Sequence, residues 1–231
     1  MNTKAEKRSH VRLPREQRMQ DIEAAAKAVF SRDGYDAAAI SEIAALAGVS
    51  EGSIYKFYES KRDLLHTVLK SWYRSLIDEL EAKLEGVEGI SSRLHLVIWQ
   101  HLNSIKSDPV CCSLFFSEVR SSTDYESTEL FQMNKEYANI LTNIMKTGVE
   151  TGDLKESTPI YLVRDVVFGC IEHRVSAYLA GKGDLDCDVI ALQLAEVINH
   201  GIFPSSEGDW GIKKVVGRLE QLANKIERAA K

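Results

Sequence analysis

Apolar side chains recur at three- and four-residue spacing along almost the whole chain, and the pattern pauses only at short breaks built on glycine, proline or serine. Ile22, Ala26, Val29 and Phe30 fall at i, i+4, i+7 and i+8, the stripe of a helix with one buried face. Asp33-Gly34 stops that stripe, because glycine enters the left-handed region without steric cost. A second short helix reads from about Ser41 to Ala47, with Ile43, Ala44 and Ala47 inward, and ends at Gly48. The third starts after Ser50, a good N-cap, and buries Ile54 with Phe57 or Tyr58. Two short helices joined by Ala47-Gly48-Val49-Ser50 make a helix-turn-helix, and the Ile22 stripe supplies the third helix that covers them. The chain reads as all-α.

A fourth helix opens at Ser60, with Asp63 at the capping-box position, and runs through Leu64, Leu65, Val68, Leu69, Trp72 and Leu76 to about Leu84. It outruns a three-helix domain, so we expect it to reach into the rest of the protein as the mechanical link. Leu94, Val97, Ile98, His101, Leu102 and Ile105 form the next stripe, which Asp108-Pro109 ends; a short piece with Leu114, Phe115 and Glu118 follows. Ser121 to Thr128 reads as a loop, and Leu130, Met133, Tyr137, Ile140, Leu141, Ile144 and Met145 mark a long amphipathic helix. Thr158-Pro159 reads as N-cap and first residue of a helix to about Ala180, and Cys187 to Ile202 forms another after Gly181-Lys182-Gly183. Both are apolar on nearly every side, so each needs burial on two faces. One face is expected to meet the protomer's own core and the other a second subunit, with Val167, Ile171, Ile190, Leu194 and Ile198 at that interface. A linker from Phe203 to Gly208 leads to a last amphipathic stripe between Trp210 and Ile226.

The 231 residues are 44% hydrophobic and 27% charged, ample for a core, which excludes disorder as the main state. No apolar run approaches the ~18 residues of a membrane span, and Met1 to Arg18 lacks the apolar segment of a secretory signal, so a cytoplasmic address without membrane contact is expected. Cys111, Cys112, Cys170 and Cys187 form no C-x-x-C pair and have no histidine at ligand spacing, so no metal, cofactor or disulfide is expected. No nucleophile elbow, phosphate-binding glycine loop or H-E-x-x-H pattern points to an enzyme. Charge is uneven: residues 1 to 70 hold 12 Lys+Arg against 10 Asp+Glu, whereas the remainder holds 17 against 24. Lys4, Lys7, Arg8, Arg12, Arg15 and Arg18 lead the chain against only Glu6 and Glu16, an arm suited to a polyanion.

The run from Ile22 to Leu69 resembles the DNA-binding domain of the TetR family of transcriptional regulators. The resemblance is carried by Phe30, Gly34-Tyr35, Ile43-Ala44, Ala47-Gly48-Val49-Ser50, Gly52-Ser53-Ile54-Tyr55, Tyr58, Ser60-Lys61 and Leu64-Leu65. It implies a regulator, expected to be a repressor, that binds a palindromic double-stranded operator as a homodimer and is released by a small hydrophobic effector. A regulator that activates or answers to a protein partner is the alternative, and an all-helical enzyme or binding protein the reading from another class. The implied organisation is a basic arm over 1–18, a helix-turn-helix domain over 19–70, a helical ligand-binding and dimerisation domain over 71–203, and a linker with a C-terminal helix over 204–231. Where the family usually has a threonine pair, Ala38-Ala39 stand here, and Ser41 is the hydroxyl left to cap the second helix.

The third helix has its own chemistry. Its N-terminus after Ser50 favours phosphate, Gly52 lets backbone approach DNA, and Ser53 and Tyr55 carry hydroxyls suited to phosphate. Lys56 can donate to guanine O6 or N7, and Glu51 can accept from cytosine N4 or simply stabilise the helix start. The resemblance places Glu51, Ser53 and Lys56 near bases, and Tyr55 and Lys61 near phosphates; Tyr58 reads as core. In the second domain, Trp99, Leu102, Phe115, Phe116, Met133, Tyr137 and Phe168 are candidates to line an apolar pocket, with His101, Glu118, Glu172 and His173 as orienting polar groups. Val166-Val167-Phe168-Gly169-Cys170-Ile171-Glu172 is similar to a stretch of fatty-acyl-CoA-responsive family members, which ranks such a ligand first.

Overall fold

The computed structural model describes residues 14–202, so most of the basic arm and the stripe from Trp210 to Ile226 lie outside the described residues. Among the described residues every regular element is helical: α1 (Arg15–Ala37), α2 (Ile40–Leu46), α3 (Glu51–Ile54), α4 (Lys61–Leu84), α5 (Ile90–Ser107), α6 (Pro109–Leu114), a π-helical turn (Phe115–Arg120), a 3-10 turn (Tyr125–Ser127), α7 (Glu129–Glu150), α8 (Ile160–Leu179) and α9 (Cys187–Ile202). No helix among them is long and apolar enough to cross a membrane.

Helix ends show which local signals ruled. Gly34, at φ 76°, interrupts α1 where the apolar stripe stops, and one further turn follows it. Gly48, at φ 67°, makes the sharp corner between α2 and α3. The cap of α4 is reciprocal: Asp63 N–H donates to Ser60 Oγ at 3.1 Å, and Glu59 N–H donates to Asp63 Oδ2 at 2.9 Å. Three expected caps need correction. Ser41 lies inside the first turn of α2, whose N-cap is Ala39, without a side-chain oxygen to offer. Ser50 does hold the N-cap position of α3, but its hydroxyl pairs with Ser53 Oγ at 2.9 Å and caps nothing. Thr158 stands one residue too early, since Pro159 takes the N-cap of α8 and the Thr158 hydroxyl is buried without a partner. Asp108-Pro109, read as a stop, is equally a start, because Asp108 caps α6 by accepting from Cys111 N–H at 3.2 Å.

The described chain divides into two compact units. The first runs to Ala82 and includes Ser104–Tyr137, so the helix-turn-helix shares a unit with α6, the π turn and the start of α7. Within it Asp108 also forms an ion pair with Lys27 of α1. Its core holds Ile22, Phe30, Ile43, Ile54, Leu64 and Leu65, all nearly or fully sealed from water. Ion pairs fasten α4 to the later segment: Arg62 to Asp124 at 2.6 Å, Lys70 to Glu129 at 3.1 Å and Arg74 to Glu136 at 3.2 Å. Asp124 is held down to about 2, chiefly by its hydrogen bond from Arg62.

The second unit combines Lys83–Asn103 with the chain from Ala138. Here Leu94, Ile98, Leu102, Val167, Ile171 and Val175 are buried. This corrects the residues expected at a subunit interface: Val167, Ile171, Leu194 and Ile198 are buried within the protomer, and Ile190 is half-buried. Side chains sealed in one protomer have no surface to offer another. The exposed apolar residues are their neighbours, Leu162 and Val166 on α8 and Val189, Leu192 and Val197 on α9, the last of them 70% exposed.

Candidate DNA-reading surface

The three N-terminal helices bury one face each, and that burial decides what α3 turns outward. Ile54 and Tyr58 are 1% and 2% exposed, against a core that holds Ile22, Phe30 and Ile43. Ser50, Glu51, Gly52, Tyr55 and Lys56 are exposed on the opposite side, with Ser53 half-buried among them. Tyr55 is 54% exposed, whereas the Tyr58 hydroxyl donates to Glu23 Oε1 at 3.1 Å inside the unit. Burial first, then the Glu23 carboxylate, pushes the Tyr58 phenol well above its ordinary range, so it stays a neutral donor. Glu23 also accepts from Ser71 Oγ at 3.0 Å, joining α1 to α4 through one carboxylate. Ser41 is exposed on α2. Arg15 and Arg18, the end of the basic arm, lie over the Phe57 ring at 5.6 and 5.8 Å.

Lys61 stands apart from this group. Its ammonium donates to the carbonyl oxygens of Tyr35 at 2.8 Å, Asp36 at 3.1 Å and Ala38 at 3.1 Å, all at the end of α1.

The candidate ligand residues fall in two groups. In the first unit Phe115, Met133 and Tyr137 are buried, and Phe115 meets the Tyr73 ring edge-on at 5.0 Å. Burial pushes the Tyr137 phenol up, with nearby Glu79 adding and a hydrogen bond with Ser104 opposing. Phe116 is half-buried with the Arg120 guanidinium over its ring at 5.4 Å, and Glu118 accepts from Ser117 Oγ at 2.8 Å. In the second unit Leu102 is fully buried, and His101 packs edge-on against Phe168 at 5.1 Å. Desolvation there pushes the His101 imidazolium down to about 4, so the ring is neutral at pH 7. Trp99 donates from Nε1 to Asp188 Oδ1 at 2.6 Å, tying α5 to the start of α9. Glu172 is half-buried, while His173 is exposed on α8.

Several residues of these networks escaped sequence reasoning. Glu23, Tyr73, Asn134 and Asp188 read as ordinary polar or stripe positions, yet Tyr73 is buried and its hydroxyl donates to Asn134 Oδ1 at 3.2 Å. No spacing signal marks a partner about sixty residues away. Asp108 alone carried a usable signal, the acid before proline that starts helices.

Residues 22–68 match the model of bacterial regulatory proteins of the tetR family, and residues 69–201 match the C-terminal region of YsiA-like protein. The fatty acid metabolism regulator protein of Bacillus subtilis strain 168 is 28% identical over 184 residues, which span 80% of this chain and 94% of that protein. The HTH-type transcriptional repressor KstR2 of Rhodococcus jostii strain RHA1 is 23% identical over 182 residues, or 77% of this chain and 87% of that one. The crystal structure of the transcriptional regulator FadR from Bacillus subtilis in complex with stearoyl-CoA superposes with a TM-score of 0.70 at 27% identity, over 77% of this chain and 96% of that chain. A three-helix reader with its polar face outward and matches running on from it through α9 together lead to one conclusion: the chain belongs to the TetR family of transcriptional regulators.

Proposed function

We propose that this regulator is a repressor, acting as a homodimer on a palindromic operator and released by a small hydrophobic ligand, first among candidates a long-chain fatty acyl-CoA. The observation that carries the DNA reading is the division of α3 and its flanking residues between buried Ile54 and exposed Ser50, Glu51, Gly52, Tyr55 and Lys56. A dimer places two such helices in successive major grooves about 34 to 36 Å apart, so the operator repeats on that spacing or a multiple of it. Exposed Leu162, Val166, Val189, Leu192 and Val197 support pairing through α8 and α9, two helices from each subunit. The ligand class rests on the Bacillus subtilis matches, a fatty acid metabolism regulator by sequence and FadR in complex with stearoyl-CoA by structure. The helical domain over 71–203 takes that ligand, with Phe168 and neutral His101 in its wall.

Fluorescence anisotropy on DNA flanking the protein's own gene, with and without stearoyl-CoA, tests the reading. Binding should be salt-dependent, and ligand should weaken it by roughly 5 to 150-fold, the usual range of allosteric coupling. Operator DNA must then weaken ligand binding by the same factor. Equal ligand affinity with and without operator counts against release. Phe168→Trp, which narrows the wall, should block the ligand and leave operator binding intact.

A further inference from the structure

We propose that Lys27 is a positioning residue for ligand-driven release: paired with Asp108, it carries a shift at the start of α6 to α1 and so to the reading helix. The inference rests on the repressor reading above and assigns the contact through which release reaches the DNA-reading unit.

Asp108 is a corner with two tasks. α5 runs out of the second unit into the first and ends at Ser107, with His101 of the proposed ligand wall two turns before the corner. Pro109, the first residue of α6, fixes its own φ and brings no N–H, so the chain turns at Asp108, at φ −139° and ψ 68°. One carboxylate oxygen, Oδ1, accepts from Cys111 N–H at 3.2 Å and starts α6, while the other, Oδ2, takes the Lys27 ammonium. The start of α6 therefore cannot shift without dragging Lys27 or giving up the pair.

Environment separates this pair from the other ties in the unit. The Asp108 side chain is 16% exposed, against 48 to 67% for Glu136, Asp124 and Glu129. Water and salt screen those three pairs, so each is worth little. Burial disfavours the Lys27 charge, but the hydrogen bond with Asp108 leads the effects that outweigh burial and hold the ammonium above its ordinary range.

α1 gives the pair its consequence. Glu23 stands one turn before Lys27, on the same side of the helix. Its Oε1 accepts from the Tyr58 hydroxyl at 3.1 Å and its Oε2 from Ser71 Oγ at 3.0 Å. Tyr58 N–H in turn donates to Ile54 O at 3.0 Å, at the end of α3. A pull on Lys27 thus reaches the reading helix through Glu23 and Tyr58. Base-edge contacts fail with a small change of angle, since each needs hydrogen-bond geometry.

The test starts with wild-type protein selecting a duplex from a random-sequence library and then losing it to stearoyl-CoA. Failure to select any sequence overturns the DNA-binding reading, and a duplex held equally with and without stearoyl-CoA overturns the release reading. Either result precedes the variants, and the proposal falls with it. Asp108→Asn then keeps an oxygen to cap α6 and loses the charge, whereas Lys27→Met keeps an apolar stem and loses the ammonium. Each should leave duplex affinity without ligand and stearoyl-CoA affinity without DNA unchanged, but cut release from roughly 5 to 150-fold to about 2-fold or less. The double variant should lose no more release than either single, because the two groups act as one pair. Lys27→Arg, which keeps the charge, should retain release. Lys27→Met decides the matter alone if Asp108→Asn does not fold. A pair that only stabilises the fold predicts a lower melting temperature with the release factor intact. That pattern overturns the proposal, as do losses of release that add between the two single variants.

Discussion

α3 and the pair α8 and α9 both turn side chains to solvent, and the two faces are of opposite kinds. α3 with the turn that follows it offers hydroxyls, a carboxylate and an ammonium over a buried isoleucine, while α8 and α9 offer Leu162, Val166, Val189, Leu192 and Val197. Polar groups exchange water for phosphate and base edges at small net cost, so such a face is stable alone and also ready to bind. Apolar groups gain only when another apolar surface removes the water, so the second face is incomplete until covered. The proposed homodimer that lets go of DNA would need both kinds, one surface that releases its partner and one that keeps it.

The sharpest way to break this comparison is to charge the apolar face. Leu192→Glu, at a 62% exposed site, should yield a folded monomer in analytical ultracentrifugation, with operator binding reduced to that of a half-site. Leu194→Ala, two residues away but only 8% exposed, should instead lower unfolding stability by about 2 to 5 kcal/mol. Denaturant melts reading no loss for Leu194→Ala, beside an intact Leu192→Glu dimer, would reverse the assignment of faces.

A pH titration probes the interior of the second unit. His101 has its imidazolium pushed from 6.5 to about 4, so the folded state binds fewer protons than the unfolded state between those values. Its contribution to stability is therefore complete above about pH 6.5 and drains as pH falls toward 4, with a slope of at most about 1.4 kcal/mol per pH unit. His101→Leu should flatten that part of the stability profile, and an unchanged slope would place the acid sensitivity elsewhere.

On the polar face, Lys56→Ala should cost about 1 to 3 kcal/mol on the best operator and relax preference at one base pair. Equal affinity for all single-base variants before and after the change would remove Lys56 from base reading. The smallest effect belongs to the exposed ion pairs along α4: Arg74→Ala should change stability by less than about 1 kcal/mol. A larger loss in thermal melts would mean that the three pairs act as one network.

Much of the fold was legible because helix formation is written locally. Periodic apolar residues marked the elements, and α9 begins and ends at Cys187 and Ile202 as its pattern indicated. The helix-turn-helix was legible for the same reason, since Gly48 and the flanking Ile43, Ala44 and Ile54 define the turn and its core within a dozen residues. Cap chemistry was less legible: Ser41 stands two residues after its helix's N-cap and Thr158 one residue before, because side-chain type does not reveal where the first helical bond closes.

By itself the sequence determined that the chain is helical, where its helices run, and that its N-terminal segment is a DNA reader of the TetR type. Tertiary structure decided which side of α8 and α9 faces inward, placing Val167 and Leu194 inside and Val166 and Leu192 outside. It also decided that Lys61 spends its donors on the carbonyls of Tyr35, Asp36 and Ala38. The physical reason is common to both cases. A helix that is apolar all round gives no preferred face, and a lysine gives no preferred acceptor, until elements distant in sequence are packed beside them.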